Sequence, residues 1–229
     1  MRQQLFLALL ILTATTAGCG MGPNGDVTAT ESGANTVNGS ILVPANLHSG
    51  SLETVNGSIH IDDNAIVTTA STVNGSIDLG AHATADSLST VNGGVTVDDS
   101  AHVTRGLDTV NGTMQVKSGA DVSGHVRNVN GHIILTGAHV GGGLRTVDGD
   151  VDVVSGSRVE GGILVEQGSG FNFSFSSRKP RIVIGPGSVV QGDLRFEHPV
   201  QLYVSDKATV GPITGAAPIR FSGDQPPTG

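Results

Sequence analysis

Apolar and polar residues alternate in short runs along most of the chain. The clearest runs are Ile59-x-Ile61, Ile77-x-Leu79, Val95-x-Val97, Met114-x-Val116 and Val151-x-Val153. Such alternation is typical of a β-strand with one buried face. Apolar residues also recur at every sixth position, as Val55, Ile61, Val67, Val73, Leu79, Ala85, Val91, Val97 and Val103. Amphipathic helical spacing is absent from this region, so the pattern predicts an all-β protein.

A longer repeat organises these short strands. The tetrad Thr-Val-Asn-Gly begins at residues 36, 54, 72, 90 and 109 and recurs in altered form at 128 and 146, so successive starts lie 18, 18, 18, 19, 19 and 18 residues apart. Three six-residue segments fill one such unit. The repeat therefore predicts a single-stack triangular parallel β-helix, or solenoid, of about 18–19 residues per coil. Right-handed winding is favoured because parallel crossovers are almost always right-handed, although six-residue spacing also occurs in left-handed forms.

The Asn-Gly pair of each tetrad predicts a structural corner. Stacked asparagines can bond amide to amide along the solenoid axis, and the expected ladder consists of Asn38, Asn56, Asn74, Asn92, Asn111 and Asn130. Glycine tolerates positive φ without steric cost, so Gly93 is expected in that conformation. Val91 and Val97, both members of the six-residue series, are expected to point into the core.

Composition narrows the function. The 229 residues include 6 Phe, 1 Tyr and no Trp, so the core must consist of aliphatic side chains. A net charge of −8 without a basic cluster argues against nucleic acid as a partner. A single cysteine excludes a disulfide framework and a cysteine-rich zinc site. Between Gly20 and Thr104 there are nine acidic residues and no Lys or Arg.

The N-terminus has the features of a targeting segment. A positive start at Met1-Arg2 precedes an apolar run, Leu5 to Leu12, that is too short to span a bilayer. Small residues then lead directly to Cys19. In these features residues 1–19 resemble the signal peptides of bacterial lipoprotein precursors, which implies cleavage before Cys19, lipidation of Cys19 and, with Gly20 following, outer-membrane sorting. Residues 20–35 are polar and predict a flexible tether.

A second motif, Gly-x-x-Val-x-Gly-x-aliphatic, begins at Gly119, Gly137, Gly156 and Gly187. It resembles the coils of bactofilins, the bacterial polymer-forming β-helix proteins, while the Thr-Val-Asn-Gly-Ser-Ile units resemble a putative-adhesin β-solenoid family of bacterial envelopes. These resemblances imply a structural or self-associating role. The expected divisions are repeats at 36–166, an inserted loop at 167–180, further coils and a cap at 181–213, and a flexible tail at 214–229.

The inserted loop carries an aromatic pattern. Phe171, Phe173 and Phe175 alternate with polar residues and would share one face of a strand. The loop is interpreted as a flap over the solenoid, with an exposed ridge that binds a partner or a glycan as the alternative.

Candidate chemistry is sparse. Stacking would bring His132 beside Asp150, with Asp152 two residues further on, and polysaccharide-cleaving β-helices use such carboxylate clusters. A solvated outer face is the favoured interpretation. The acidic pairs Asp62-Asp63 and Asp98-Asp99 suggest at most weak calcium binding. The histidines show no metal-site spacing, and no cofactor is expected.

The sequence therefore predicts a non-enzymatic, lipid-anchored envelope protein that acts as a structural scaffold or as a self-associating or adhesin-like module. Its expected partners are the membrane, through the lipid at Cys19, a second copy, and an envelope glycan or protein. A glycan-active lyase or hydrolase is the alternative.

Overall fold

The computed structural model describes residues 24–168 and 178–227. Within that part of the chain there is no helix, and 25 strands stack in parallel as a β-solenoid of about 10 turns. The predicted fold class, an all-β parallel solenoid, is confirmed. Each coil hydrogen-bonds to the coil before and after it, as the repeat length requires.

Every coil contributes to three faces, here called A, B and C. Face A contains β1 (Val27–Thr28), β3 (Ile41–Val43), β6 (Ile59–Ile61), β8 (Ile77–Leu79), β10 (Val95–Val97), β16 (Asp150–Val154), β19 (Arg181–Ile184), β22 (Gln201–Ser205) and β25 (Ile219–Phe221). Face B contains β4 (His48–Ser49), β12 (Asp121–Val122), β14 (His139–Val140), β17 (Arg158–Val159), β20 (Val189–Val190) and β23 (Thr209–Val210). Face C contains β2 (Gly33–Asn35), β5 (Ser51–Asn56), β15 (Leu144–Thr146), β18 (Ile163–Val165), β21 (Leu194–Phe196) and β24 (Ile213–Thr214).

Four longer strands continue around corners. The strands β7 (Ile66–Asn74) and β9 (Thr84–Asn92) run from face B to face C, β13 (His125–Thr136) runs from C to A, and β11 (His102–Val116) crosses all three faces. The change from 18 to 19 residues per coil begins at the B–C corner. There the pairing of β9 with β11 shifts register between Val103 and Gly106, so the extra residue is absorbed at the corner.

The core is a narrow column of aliphatic side chains. On face A, Ile59, Ile77 and Val95 stack in register and are fully buried. On face C, Leu52, Ala70 and Leu88 do the same. Alanines fill the A–B corner, where Ala65, Ala83, Ala101, Ala120 and Ala138 are buried. The scarcity of aromatic residues follows from the width of this column.

One sequence expectation about the core is wrong. Val97 is fully buried as predicted, but Val91 is half-exposed, and its counterpart Val37 is 43% exposed. The threonine of each tetrad lies inside instead, and Thr72 is fully buried. Alternation along the strand sets this arrangement: Leu52 and Thr54 share the inner face, so Val55 must point outward.

The solenoid is also longer than expected at both ends. The described part of the predicted tether forms a coil, because β1 pairs with β3 and β2 pairs with β5. The predicted flexible tail contains β25, which pairs with β22. Backbone groups of the terminal coils therefore continue the ladder. Near the C-terminus larger residues are buried, including Phe196 and a separate cluster of Val183, Tyr203 and Phe221.

Candidate interaction face

The asparagines at the corner between faces C and A form a continuous hydrogen-bonded ladder. Each side-chain Nδ2 donates to the Oδ1 of the asparagine one coil earlier. From Asn38 to Asn24 the distance is 2.6 Å. Along Asn56, Asn74, Asn92, Asn111 and Asn130 the donor distances to the preceding member are 2.8, 2.9, 3.0, 3.1 and 3.5 Å. The ladder thus joins the six expected residues and extends to Asn24.

Gly93, which follows Asn92 in the ladder, is required for a reason that differs from the sequence expectation. Gly93 is not among the residues with positive φ. A Cβ atom on Gly93 would instead lie 2.0 Å from the carbonyl oxygen of Gly75. The coils approach so closely at this corner that no side chain fits. In the ladder, Gly131 does have positive φ, at 136°. The non-glycine residues with positive φ lie at the A–B corner and are Asn46, Asn64, His82, Ser100 and Ser155.

The buried threonines satisfy the corner carbonyl groups. Thr54, Thr72 and Thr90 donate their hydroxyl protons to the carbonyl oxygens of Gly39, Gly57 and Gly75, at 3.0, 2.9 and 2.9 Å. One coil departs from this pattern: Asn128 donates through Nδ2 to the Gly112 carbonyl at 3.0 Å, but its buried Oδ1 has no partner. Two polar columns therefore stabilise this corner: the threonines on its inner side and the asparagine ladder on its outer side.

The outward valines of the tetrads line up beside the asparagine ladder. We call this row the valine stripe; it comprises Val37, Val55, Val73, Val91, Val110, Val129 and Val147. Val37 and Val129 are 43% and 38% exposed, and the other five are half-buried. With coils about 4.8 Å apart, seven valines extend about 29 Å. Other exposed large apolar residues, such as Leu42 and Ile66, are isolated on other faces.

A column of mixed charge flanks the valine stripe on face C. This charged column comprises, in coil order, Asn35, Glu53, Ser71, Ser89, Asp108, Arg127 and Arg145. Two members have ion-pair partners: Asp108 lies 3.2 Å from His125, and Arg145 lies 3.2 Å from Glu166. The side chains of Glu53 and Arg127 form no ion pair with any residue that the structure describes.

The candidate catalytic residues lie together on face A but are engaged in ion pairs. His132 pairs in register with Asp150, yet its Nε2 lies 2.9 Å from Oδ2 of Asp152. Asp152 also accepts from Arg181 at 3.3 Å, while Asp150 binds Arg178 and the backbone N–H of Arg181. Each carboxylate is thus neutralised by a fixed cation. This arrangement does not resemble a pair of carboxylates held apart for acid–base catalysis.

Face B carries a second column of ionisable groups. His102 Nδ1 lies 2.8 Å from Asp121, which also binds His139, and His139 Nε2 lies 3.4 Å from Glu160. The hydrogen bond to Asp121 raises the pKa of His139 against the opposing effect of desolvation. Desolvation acts to raise the pKa of Asp121, but hydrogen bonds from His139 and Ser123 outweigh it and lower that pKa.

The weak calcium candidates are likewise occupied by local partners. Asp63 accepts the backbone N–H of Ala81 at 2.8 Å, Asp62 lies 3.0 Å from His60, and Asp98 binds Lys117. Across residues 24–168 and 178–227, no group of three or more His, Cys, Asp or Glu side chains is arranged to hold a metal ion. Cys19 and the aromatic residues Phe171, Phe173 and Phe175 lie outside the described residues.

Sequence reasoning missed the valine stripe because it followed the six-residue spacing. The available signal was the two-residue alternation. Leu52-x-Thr54, Ala70-x-Thr72 and Leu88-x-Thr90 place the threonine, and not the valine, on the buried side of the strand. Because the tetrads recur once per coil, one outward valine implies the whole stripe.

Comparisons with family models, with curated proteins and with solved structures found no match. Among the described residues, no helix has the length and apolar character needed to cross a membrane. These observations establish the class of fold: a parallel β-solenoid in which an asparagine ladder joins the coils at one corner.

Proposed function

We propose that this chain is a non-enzymatic protein of the bacterial envelope, anchored by a lipid at Cys19, whose solenoid acts as a rigid scaffold and self-associating or adhesin-like interaction module. The anchor would hold it at the outer membrane. The observation that carries the proposal is the valine stripe. Seven aligned apolar side chains on the outside of a monomer do not contribute to its core, and aligned exposed apolar surface is typical of interaction sites.

Two further features support this proposal over glycan cleavage. The carboxylates near His132 are engaged in ion pairs with Arg178 and Arg181, as in a structural salt-bridge network. The described residues that line the nearby depression of about 380 Å³ are Arg178, Lys179, Arg181 and Gln201, which include no carboxylate. A lyase or hydrolase would need a groove that surrounds several sugar units.

The proposal can be tested with isolated bacterial envelopes and purified protein that carries Cys19→Ser in every variant, so that no lipid anchor contributes to binding. We expect the protein to co-sediment with the envelopes, and we expect a variant with Val73→Lys and Val110→Lys to lose this binding. Thr96→Lys, on face A, is the matched control and should retain it. The same preparations should release no soluble sugar products from cell-wall or extracellular polysaccharide. Sustained product release, or equal binding by the stripe variant and the wild type, would overturn the proposal.

A further inference from the structure

We infer that two copies of this chain associate laterally, face C against face C, with their solenoid axes antiparallel and the two valine stripes in contact. This inference rests on the proposed function, since it names the partner of the proposed interaction surface as a second copy. It is carried by the periodicity of the stripe and by the order of charges in the charged column.

Periodicity favours a second copy as the occupant. The seven valines repeat at the coil spacing of about 4.8 Å. A ligand that contacts all of them must have the same spacing, and a second solenoid has it by construction. Stacked β-structures pair through rows of identical side chains in this way, with dry interdigitated contacts. The asparagine ladder beside the stripe is uncharged, so it does not oppose close approach.

Symmetry then determines which residues meet. A two-fold axis between the two faces, perpendicular to both solenoid axes, reverses the coil order but keeps each column opposite its own counterpart. Full overlap of the two stripes places this axis at Val91. Ser89 then lies opposite Ser89 of the second copy. Glu53, two coils earlier, lies opposite Arg127, which is two coils later.

The charges agree with this arrangement. Glu53 and Arg127 lack ion-pair partners among the described residues of the monomer. In the antiparallel dimer each residue pairs with the other across the two-fold axis, which gives two Glu53–Arg127 ion pairs. A parallel dimer would place the charged column opposite the asparagine ladder and would leave both charges unpaired.

If one copy slips by one coil so that Val147 of each copy loses its counterpart, Glu53 lies opposite Asp108, and the two carboxylates repel each other. A slip in the other direction would place Glu53 opposite Arg145, which already pairs with Glu166, and would leave Arg127 opposite Ser71. Charge order therefore selects the antiparallel direction, and charge order together with full overlap of the stripes selects the register.

The contact area is modest. The stripe is about 29 Å long, and the outward side chains of face C span about 20 Å across, so each copy contributes roughly 600 Å², at the lower end for specific interfaces. We therefore expect micromolar dissociation constants, with a dependence on salt because two of the contacts are ionic.

The first test is cross-linking at the proposed two-fold axis. In the full chain with Cys19→Ser, which contains no other thiol, Ser89→Cys should form a covalent dimer with a short bismaleimide cross-linker. Packed sheets lie about 10 Å apart, beyond the Cα–Cα distance of about 7 Å that a direct disulfide can bridge. Ser71→Cys lies off the axis and serves as the control, because its counterpart is Asp108. Efficient cross-linking of Ser71→Cys with little of Ser89→Cys would overturn the proposed register. Absence of both cross-links would overturn the dimer.

The second test is charge reversal, measured by sedimentation equilibrium. Glu53→Arg and Arg127→Glu should each weaken self-association by about tenfold or more, whereas Asp99→Arg, the same change of charge at an exposed corner, should not. Mixing Glu53→Arg with Arg127→Glu should restore dimers, because each repulsive contact becomes attractive in the mixed pair. Failure of the mixture to associate would overturn the antiparallel arrangement.

The two proposals fail in different ways. A wild-type protein that stays monomeric at all concentrations but still binds envelopes through the valine stripe would overturn the dimer and leave the proposed function standing. Sugar release by a dimeric protein would overturn the proposed function and leave the dimer standing.

Discussion

At the scale of single residues, the buried threonine at the asparagine–glycine corner has both a hydrogen-bonding and a packing role. A buried threonine donates its hydroxyl proton to a carbonyl that would otherwise be unpaired, and its methyl group packs in the core. The buried Oδ1 of Asn128 interrupts this column. A buried acceptor without a partner costs about 1–3 kcal/mol.

We therefore expect Asn128→Thr to stabilise the protein by about 1 kcal/mol, since it removes the unpaired acceptor and restores a donor to the Gly112 carbonyl. Thermal unfolding of the two proteins measures the difference. The reverse change in an intact coil, Thr72→Asn, is the control and should lower the midpoint. A lower midpoint for Asn128→Thr would contradict this explanation, because it would mean that the Oδ1 of Asn128 does have a hydrogen-bond partner.

The glycine beside the ladder gives a second residue-scale prediction. Gly93→Ala should destabilise the protein by about 1–3 kcal/mol, as overpacking does, because its Cβ would overlap the Gly75 carbonyl. Gly223→Ala, where the nearest atom is 3.6 Å away, should have little effect. Denaturant unfolding of both variants is the measurement. An unchanged midpoint for Gly93→Ala would mean that the coils can separate at this corner at little cost.

At the scale of elements, hydrogen bonds between coils couple residues that lie a full turn apart. In the asparagine ladder each amide both donates to and accepts from its neighbours. Asn74→Ala and Asn92→Ala should each cost about 0.5–1 kcal/mol, and the double variant should deviate from the sum because the two residues share a bond. Asn38→Ala combined with Asn130→Ala should be additive. Additivity of the adjacent pair in thermal melts would show that the amides act independently.

The His–Asp column of face B predicts a dependence of stability on pH. Because the pKa of His139 is raised on folding, its interaction with Asp121 stabilises the protein fully below the unfolded value of about 6.5. That contribution is lost as the pH rises through the raised pKa. The lowered pKa of Asp121 acts at the other end, where its contribution is lost only as the pH falls below about 4.

Unfolding midpoints measured from pH 5 to pH 9 should therefore fall more steeply for the wild type than for His139→Gln. His48→Gln provides a control, because His48 has no carboxylate partner among the residues that the structure describes. Parallel pH profiles for the wild type and His139→Gln would remove the proposed linkage between this column and stability.

At the scale of the whole molecule, the proposed lipid anchor at Cys19 precedes the described solenoid in the chain and would determine where the protein is located. If Cys19 carries the lipid, Cys19→Ser should move the protein from the membrane fraction to the soluble periplasmic fraction. Each buried CH₂ of an acyl chain contributes about 0.8 kcal/mol to membrane affinity. Cell fractionation followed by immunoblotting measures the shift. Continued membrane association of Cys19→Ser would contradict the lipoprotein prediction.

The sequence by itself determined the repeat, the coil length, the aliphatic core and the asparagine ladder. In a parallel stack, residues one repeat apart become neighbours, so a repeated asparagine necessarily becomes a column.

Tertiary structure decided which way each column faces and which columns meet. Six-residue spacing selected Val91 for the core. In a strand, however, a side chain points inward or outward according to whether it lies an even or an odd number of residues from the corner, and the bends of the coil determine where each corner falls. The close contact between Gly93 and Gly75 and the cross-coil pair of His132 with Asp152 likewise depend on atomic distances between coils. The terminal coils form because an edge strand offers unpaired backbone groups to an adjacent segment. Their sequence signs were missed because Asn24 lies only 14 residues before Asn38, short of the 18-residue repeat.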